Sequence, residues 1–132
     1  MKATRLCLII VALATGCATA PAPRSAHLGL VPFDSVFMLA DPAARIPESV
    51  PDGDYRVDAR VCASTSGATT AVVFLAPARA DLRAAILEAT SRWRHRPYMR
   101  DDERPALFCY DASFRFLIRD GQQESHAVTA EN

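Results

Sequence analysis

The chain of 132 residues has no excess of charge of either sign: 15 Lys and Arg stand against 15 Asp and Glu. Lysine is almost missing, Lys2 being the only one. Without a basic surplus nothing neutralises a row of phosphates, which argues against a nucleic-acid partner. No apolar run approaches the roughly 20 residues of a membrane-spanning helix. There is no Cys-x-x-Cys, and the histidines lack ligand spacing, so zinc held by Cys62, Cys109, His95 and His126 is not expected. No glycine-rich nucleophile turn or oxyanion hole accompanies the one Ser-His-Asp set that spacing suggests, Ser91, His95 and Asp101. What is present is a hydrophobic fraction of 50%, too high for a disordered chain, in a length that suits one domain.

The first sixteen residues read as a signal peptide. Met1 to Arg5 is a short positive stretch, and Leu6 to Ala14 is apolar, too short to span a bilayer and therefore outside the fold. Ala14-Thr15-Gly16-Cys17 follows directly. Small residues leading to a cysteine resemble the lipobox of bacterial lipoproteins, with Leu13 one place early. The resemblance implies cleavage before Cys17, lipidation of its thiol, and, from Ala18 rather than Asp after it, sorting to the outer membrane. The alternative is ordinary secretion with a cut after Ala18 or Ala20. Several acyl chains would anchor the domain stably where one would not. Beyond Cys17 thirteen arginines face all fifteen acids, so the processed chain is slightly acidic.

Residues 17–54 read as a lipidated cysteine, a Pro-rich tether and an irregular segment. Pro32 disfavours a central strand among the apolar residues 28–40, leaving at most a short edge strand near Val36 to Leu39. Pro47, Pro51 and Asp52-Gly53 are turn residues. From Tyr55 the pattern becomes regular. Tyr55, Val57, Ala59 and Val61 alternate with polar neighbours, the signature of a half-buried strand. Ser64 to Gly67 is a turn in which Gly67 can take positive φ, and Thr69 to Leu75 is a β-branched second strand. Asp81 is placed to cap a helix over 82–94, on which Leu82, Ala85, Ile86, Ala89 and Trp93 form one stripe. Trp93 closes that stripe as a core anchor. Alternation from Phe108 to Ile118 predicts a third strand, and residues 120–132 a polar, frayed tail.

The expected fold is α+β: a two-layer β-β-α-β domain over 55–119, a three-stranded antiparallel-type sheet of order 2-1-3 covered by one helix. The Ser-Gly hairpin, the Asp-initiated helix, and Trp93-Arg94-His95-Arg96-Pro97-Tyr98 with Pro105 before the last strand resemble the C-terminal domain of the TonB family of energy transducers. His95 stands where that family usually has Phe or Tyr. The resemblance covers 55–118 and implies a protein-binding domain. It departs where a transducer keeps an uncleaved membrane helix and a long spacer, so transduction is not expected.

Once Cys7 leaves with the signal and Cys17 is lipidated, Cys62 and Cys109 remain. Both lie on the polar face of their strands. Setting them opposite each other also sets Arg60 against Asp111, Ala59 against Ala112, Val57 against Phe114 and Tyr55 against Phe116, so one register supplies a disulfide, a charge pair and an aromatic pair. Arg92, Arg94, Arg96, Arg100 and Arg104 form a basic patch, read either as a site for an anionic partner or as a solvated face balanced by Asp101, Asp102 and Glu103.

These features together describe a non-enzymatic lipoprotein without cofactor or metal, held at the outer membrane facing the periplasm. The third strand (Leu107, Cys109, Asp111, Ser113, Arg115) is expected to be a free edge that takes an extended segment of an envelope protein by β-augmentation. Membrane contact comes through the N-terminal lipid, with no nucleic acid and no small-molecule substrate. The second reading is a lipid-anchored structural module whose edge is covered by residues 27–44, and the third a small hydrolase.

Overall fold

The computed structural model describes residues 29–130. Its elements in chain order are β1 (Gly29–Leu30), a 3-10 turn (Phe33–Ser35), β2 (Met38–Ala40), β3 (Gly53–Ala63), β4 (Thr69–Phe74), α1 (Ala80–Ser91), β5 (Arg94–His95), β6 (Tyr98–Met99), β7 (Pro105–Ala106), β8 (Phe108–Arg119) and β9 (Gln122–Ala130). Two two-stranded ribbons, β2-β5 and β6-β7, stand beside a five-stranded sheet in the order β1-β8-β3-β4, with β9 also on β8. The described part is therefore mostly β, not the expected three-stranded sheet under one helix.

The expected strands form the middle of the larger sheet. β3 pairs antiparallel with β4 on one side and β8 on the other, and the partners include Cys62 with Cys109, Arg60 with Asp111, Ala59 with Ala112, Val57 with Phe114 and Tyr55 with Phe116. The register holds because it puts Val57, Ala59 and Val61 on the same side as Tyr110, Ala112 and Phe114, all buried. A slip of one residue would turn that set to solvent.

Where polarity predicts a frayed tail over 120–132, Gln122–Ala130 is a strand. Asp120 and Gly121 adopt φ of 52° and 70°, the left-handed pair that a two-residue hairpin turn requires. The turn is held by Asp52, whose carboxylate oxygens accept the amides of Asp120 at 2.8 Å and Gly121 at 2.9 Å. Those two amides hold the Asp52 carboxyl below its ordinary pKa.

The helix buries Leu82, Ala85, Ile86, Ala89 and Thr90. It is shorter than 82–94. At its end the hydroxyls of Thr90 and Ser91 bond back to the carbonyls of Ile86 (2.7 Å) and Glu88 (2.6 Å), which competes with helix continuation, and Trp93 turns the chain into β5. Asp81 does not cap the helix. Arg79 holds the cap position, and Asp81 sits in the first turn, accepting the Leu82 amide at 2.9 Å and pairing with Arg79 at 2.8 Å. Trp93 is 3% exposed. Its ring stacks on Phe114 at 5.7 Å and its indole N–H donates to the Pro42 carbonyl at 3.0 Å.

Candidate functional site

The strand expected to be a free edge is interior. One side of β8 carries β3 from Phe108 to Ile118. The other side carries β1 at Phe108 and Cys109 and β9 from Ala112 to Arg119. The backbone groups of Phe108 to Arg115 are thus largely committed to neighbours, and the β-augmentation site expected on Leu107, Cys109, Asp111, Ser113 and Arg115 is not available as a continuous edge. The reason is the Asp120-Gly121 turn, which folds the chain back along β8. Two of the side chains on that face, Cys109 and Asp111, are also engaged. Cys62 and Cys109 form a disulfide across 47 positions with Cα atoms 4.0 Å apart. Asp111 receives both arms of the Arg60 fork at 2.7 and 2.9 Å. Ser113 is buried, and Arg115 is exposed opposite Arg56.

An open edge lies at the far side of the sheet, besides that of β9, which pairs with β8 alone among the described residues. Among the described residues β4 pairs with β3 alone. The amide of Leu75 points back to the Asp58 carbonyl at 2.9 Å. Because successive residues of an antiparallel strand turn their backbone groups to alternate sides, Val72 and Phe74 offer N–H and C=O away from β3. The strand, Thr69-Thr-Ala-Val-Val-Phe74, holds no charge and no proline, two of the devices by which sheets blunt an edge; its register against β3 shifts between Cys62 and Ala63. Val73 is 54% exposed on it.

The arginines of the expected basic patch are spread over three elements. Arg92 ends α1 and pairs with Glu88 at 2.9 Å. Arg94 lies on β5, where its guanidinium donates to the Trp93 carbonyl at 2.7 Å. Arg96 follows β5, with its guanidinium 5.9 Å from the centre of the Phe37 ring. Arg100 and Arg104 face each other at the foot of the loop joining β6 to β7, where the Arg100 amide donates to the Arg104 carbonyl at 3.0 Å.

Ser91, His95 and Asp101 do not assemble into a catalytic set. The Ser91 hydroxyl serves the Glu88 carbonyl, and the His95 ring is 1% exposed and engaged at both nitrogens. Nδ1 lies 3.0 Å from the Gly67 carbonyl, which can only accept, so Nδ1 carries the proton and Nε2 accepts from the Tyr110 hydroxyl at 2.8 Å. Burial pushes the His95 pKa down against the opposing Gly67 bond, and pushes the Tyr110 hydroxyl up, with the Asp41 charge adding to it. Sequence reasoning missed this pair because a lone histidine at a helix exit has no pattern. Its only trace is Gly67, at φ +86°, where an added Cβ would stand 1.9 Å from the His95 carbonyl oxygen.

Among the described residues no group of three or more His, Cys, Asp or Glu is placed to hold a metal, and no helix is long and apolar enough to cross a membrane. Cys17 lies outside the described residues. Comparison with protein-family models, with curated proteins and with solved structures finds nothing that matches this chain.

Proposed function

We propose that this protein is a non-enzymatic, lipid-anchored envelope module that binds an extended segment of another envelope protein along β4. The observation that carries this reading is the uncharged, proline-free edge at Thr69–Phe74, open on one side among the described residues. Such an edge gains main-chain hydrogen bonds when a strand is added, with side-chain pockets supplying selectivity. The binding mode expected for the third strand passes to β4, since β8 is enclosed. The anchor rests on Ala14-Thr15-Gly16-Cys17 behind a nine-residue apolar stretch, and the resemblance of 55–118 to a protein-binding domain family supports the same class of role.

The test separates the β4 backbone from its side chains. Val72→Pro removes an outward N–H that β3 does not use, while Val72→Ala keeps that N–H and loses the same methyl groups. Captured from envelope extract with the full chain as bait, the partner is expected with wild type and Val72→Ala and lost with Val72→Pro at a similar melting temperature. Equal capture by Val72→Pro and Val72→Ala would remove β4 as the site.

A further inference from the structure

Beside the sheet, the β2-β5 ribbon has one inward and one outward side. Inward, Met38 pairs with His95 against the core. Outward stand Phe37 and Leu39, 61% and 70% exposed, beside the exposed Arg94 and Arg96. Arg96 is fixed to Phe37 twice, through its amide to the Phe37 carbonyl at 2.8 Å and through its guanidinium over the ring. Met99, 52% exposed, lines the same surface hollow as Phe37 and Arg96, and so does Phe108. Three large apolar side chains and two arginines thus share one surface, and neither Arg94 nor Arg96 has a carboxylate partner among the described residues.

We infer that this surface docks on an anionic phospholipid bilayer. The inference rests on the lipid-anchor reading above and goes beyond it, since an anchor alone leaves the domain's orientation free. Three observations select this occupant. Gly29 pairs with Phe108, so the chain enters the described structure beside the surface in question. Only residues 18–28 separate Cys17 from that point, and a chain of that length reaches at most about 40 Å, which keeps the domain close to the leaflet that holds Cys17. Exposed Phe, Leu and Met rimmed by arginine is the chemistry of interfacial binding, in which apolar groups enter roughly 5–10 Å and cations meet anionic headgroups. The other occupants fit worse. Residues 18–28, ATAPAPRSAHL, are mostly small and proline-rich and bring a further arginine. A second copy would lay Arg94 and Arg96 against their own kind across a two-fold contact.

The experiment uses the full processed protein with vesicles of phosphatidylglycerol and phosphatidylethanolamine carrying brominated acyl chains, which quench tryptophan on contact. Leu39→Trp places the probe on the surface, Phe37→Trp is a second site for it, Val73→Trp on β4 is the distant control, and wild type supplies the buried Trp93 background. Mass analysis of the N-terminus and vesicle flotation report the anchor separately. The added emission of Leu39→Trp and Phe37→Trp is expected to be mostly lost, that of Val73→Trp retained, and the loss reversed by high salt or by Arg94→Glu with Arg96→Glu while the protein still floats. Flotation with an acylated Cys17 but no quenching in either Phe37→Trp or Leu39→Trp overturns the docking surface and leaves the anchor standing. An unacylated chain that is still quenched overturns the anchor and supports the surface, and an unacylated chain without quenching overturns both.

Discussion

Trp93 sets how firmly the irregular N-terminal segment and the helix exit are tied to the sheet. Its ring stacks on Phe114 of β8 and its N–H holds the Pro42 carbonyl, so one side chain joins three separate stretches of chain. A buried aromatic of this kind removes about 150–250 Å² from water, which at ~25 cal/mol per Å² is about 4–6 kcal/mol as an upper bound. Truncation to alanine keeps the Cβ but leaves a cavity, and the expected loss is about 3–5 kcal/mol. For a domain near 100 residues each kcal/mol moves the melting point by about 4–8 °C, so Trp93→Ala should melt roughly 12 °C or more below wild type. Trp93→Phe keeps the stack and loses the donor to Pro42. A neutral hydrogen bond is worth about 1 kcal/mol net, and that variant should fall well short of the alanine loss. Trp93 is the single tryptophan, so circular dichroism, not intrinsic fluorescence, is the readout. If Trp93→Ala melts within the scatter of wild type, Trp93 is no anchor, and a simultaneous loss of partner binding would make the helix exit a binding site.

The Cys62–Cys109 bond closes a 47-residue separation, for which the chain-entropy model gives about 4 kcal/mol; reduction, or replacement of both cysteines by alanine, should lower the denaturant midpoint and steepen the slope, because the freed unfolded chain expands. Gly67→Ala places a Cβ against the His95 carbonyl oxygen and should destabilise far more than Gly121→Ala, which meets nothing within 4 Å, as paired thermal melts would show. Burial lowers the pKa of both His95 and His126, so in the window below about 6.5 the unfolded chain binds more protons than the folded one. Stability should then fall as pH drops from 7 toward 5, and Tyr110→Phe, which strips Nε2 of its partner, should cost about 1–3 kcal/mol at neutral pH. Asp52 carries the same sign in a lower pH window. Its lowered pKa stabilises the fold above its unfolded value of 3.8, and that contribution is lost as pH falls through the folded value, so Asp52→Ala should fray the β8-β9 turn in hydrogen exchange and flatten the acid limb of the stability curve.

The middle of the fold is legible because its signals are local and redundant. Alternation over 55–63 and 108–118 places the strands. The parity of two cysteines, backed by Arg60 with Asp111 and Val57 with Phe114, sets their register to the residue. The helix stripe follows from 3.6-residue spacing, and Trp93 is buried as expected although it lies just past the helix end. The margins are not legible. β9 reads Gln-Gln-Glu-Ser-His-Ala-Val-Thr-Ala, too polar to announce a strand, although the Asp120-Gly121 dipeptide before it is among the strongest hairpin signals. β1 and β5 are two residues each, below any period. Reading residues 120–130 as a tail is what leaves β8 at an edge of the expected sheet, opposite β4, where β9 in fact pairs with it. The His95–Tyr110 contact joins residues 15 apart that no motif links.

The pairing of Cys62 with Cys109 also makes oxidation a test of alignment. Cross-strand neighbours one step off, at a two-residue shift, sit about 7–8 Å apart, beyond the roughly 7 Å at which two cysteines can still be bridged. A one-residue shift sends the two thiols to opposite faces of the sheet. Only chains that have laid β8 against β3 in the native alignment can therefore close the bond within themselves, and closing it then forbids the strands from sliding. Any molecule that has slipped keeps two free thiols, a chemical mark by which thiol-reactive machinery would tell unfinished chains from finished ones.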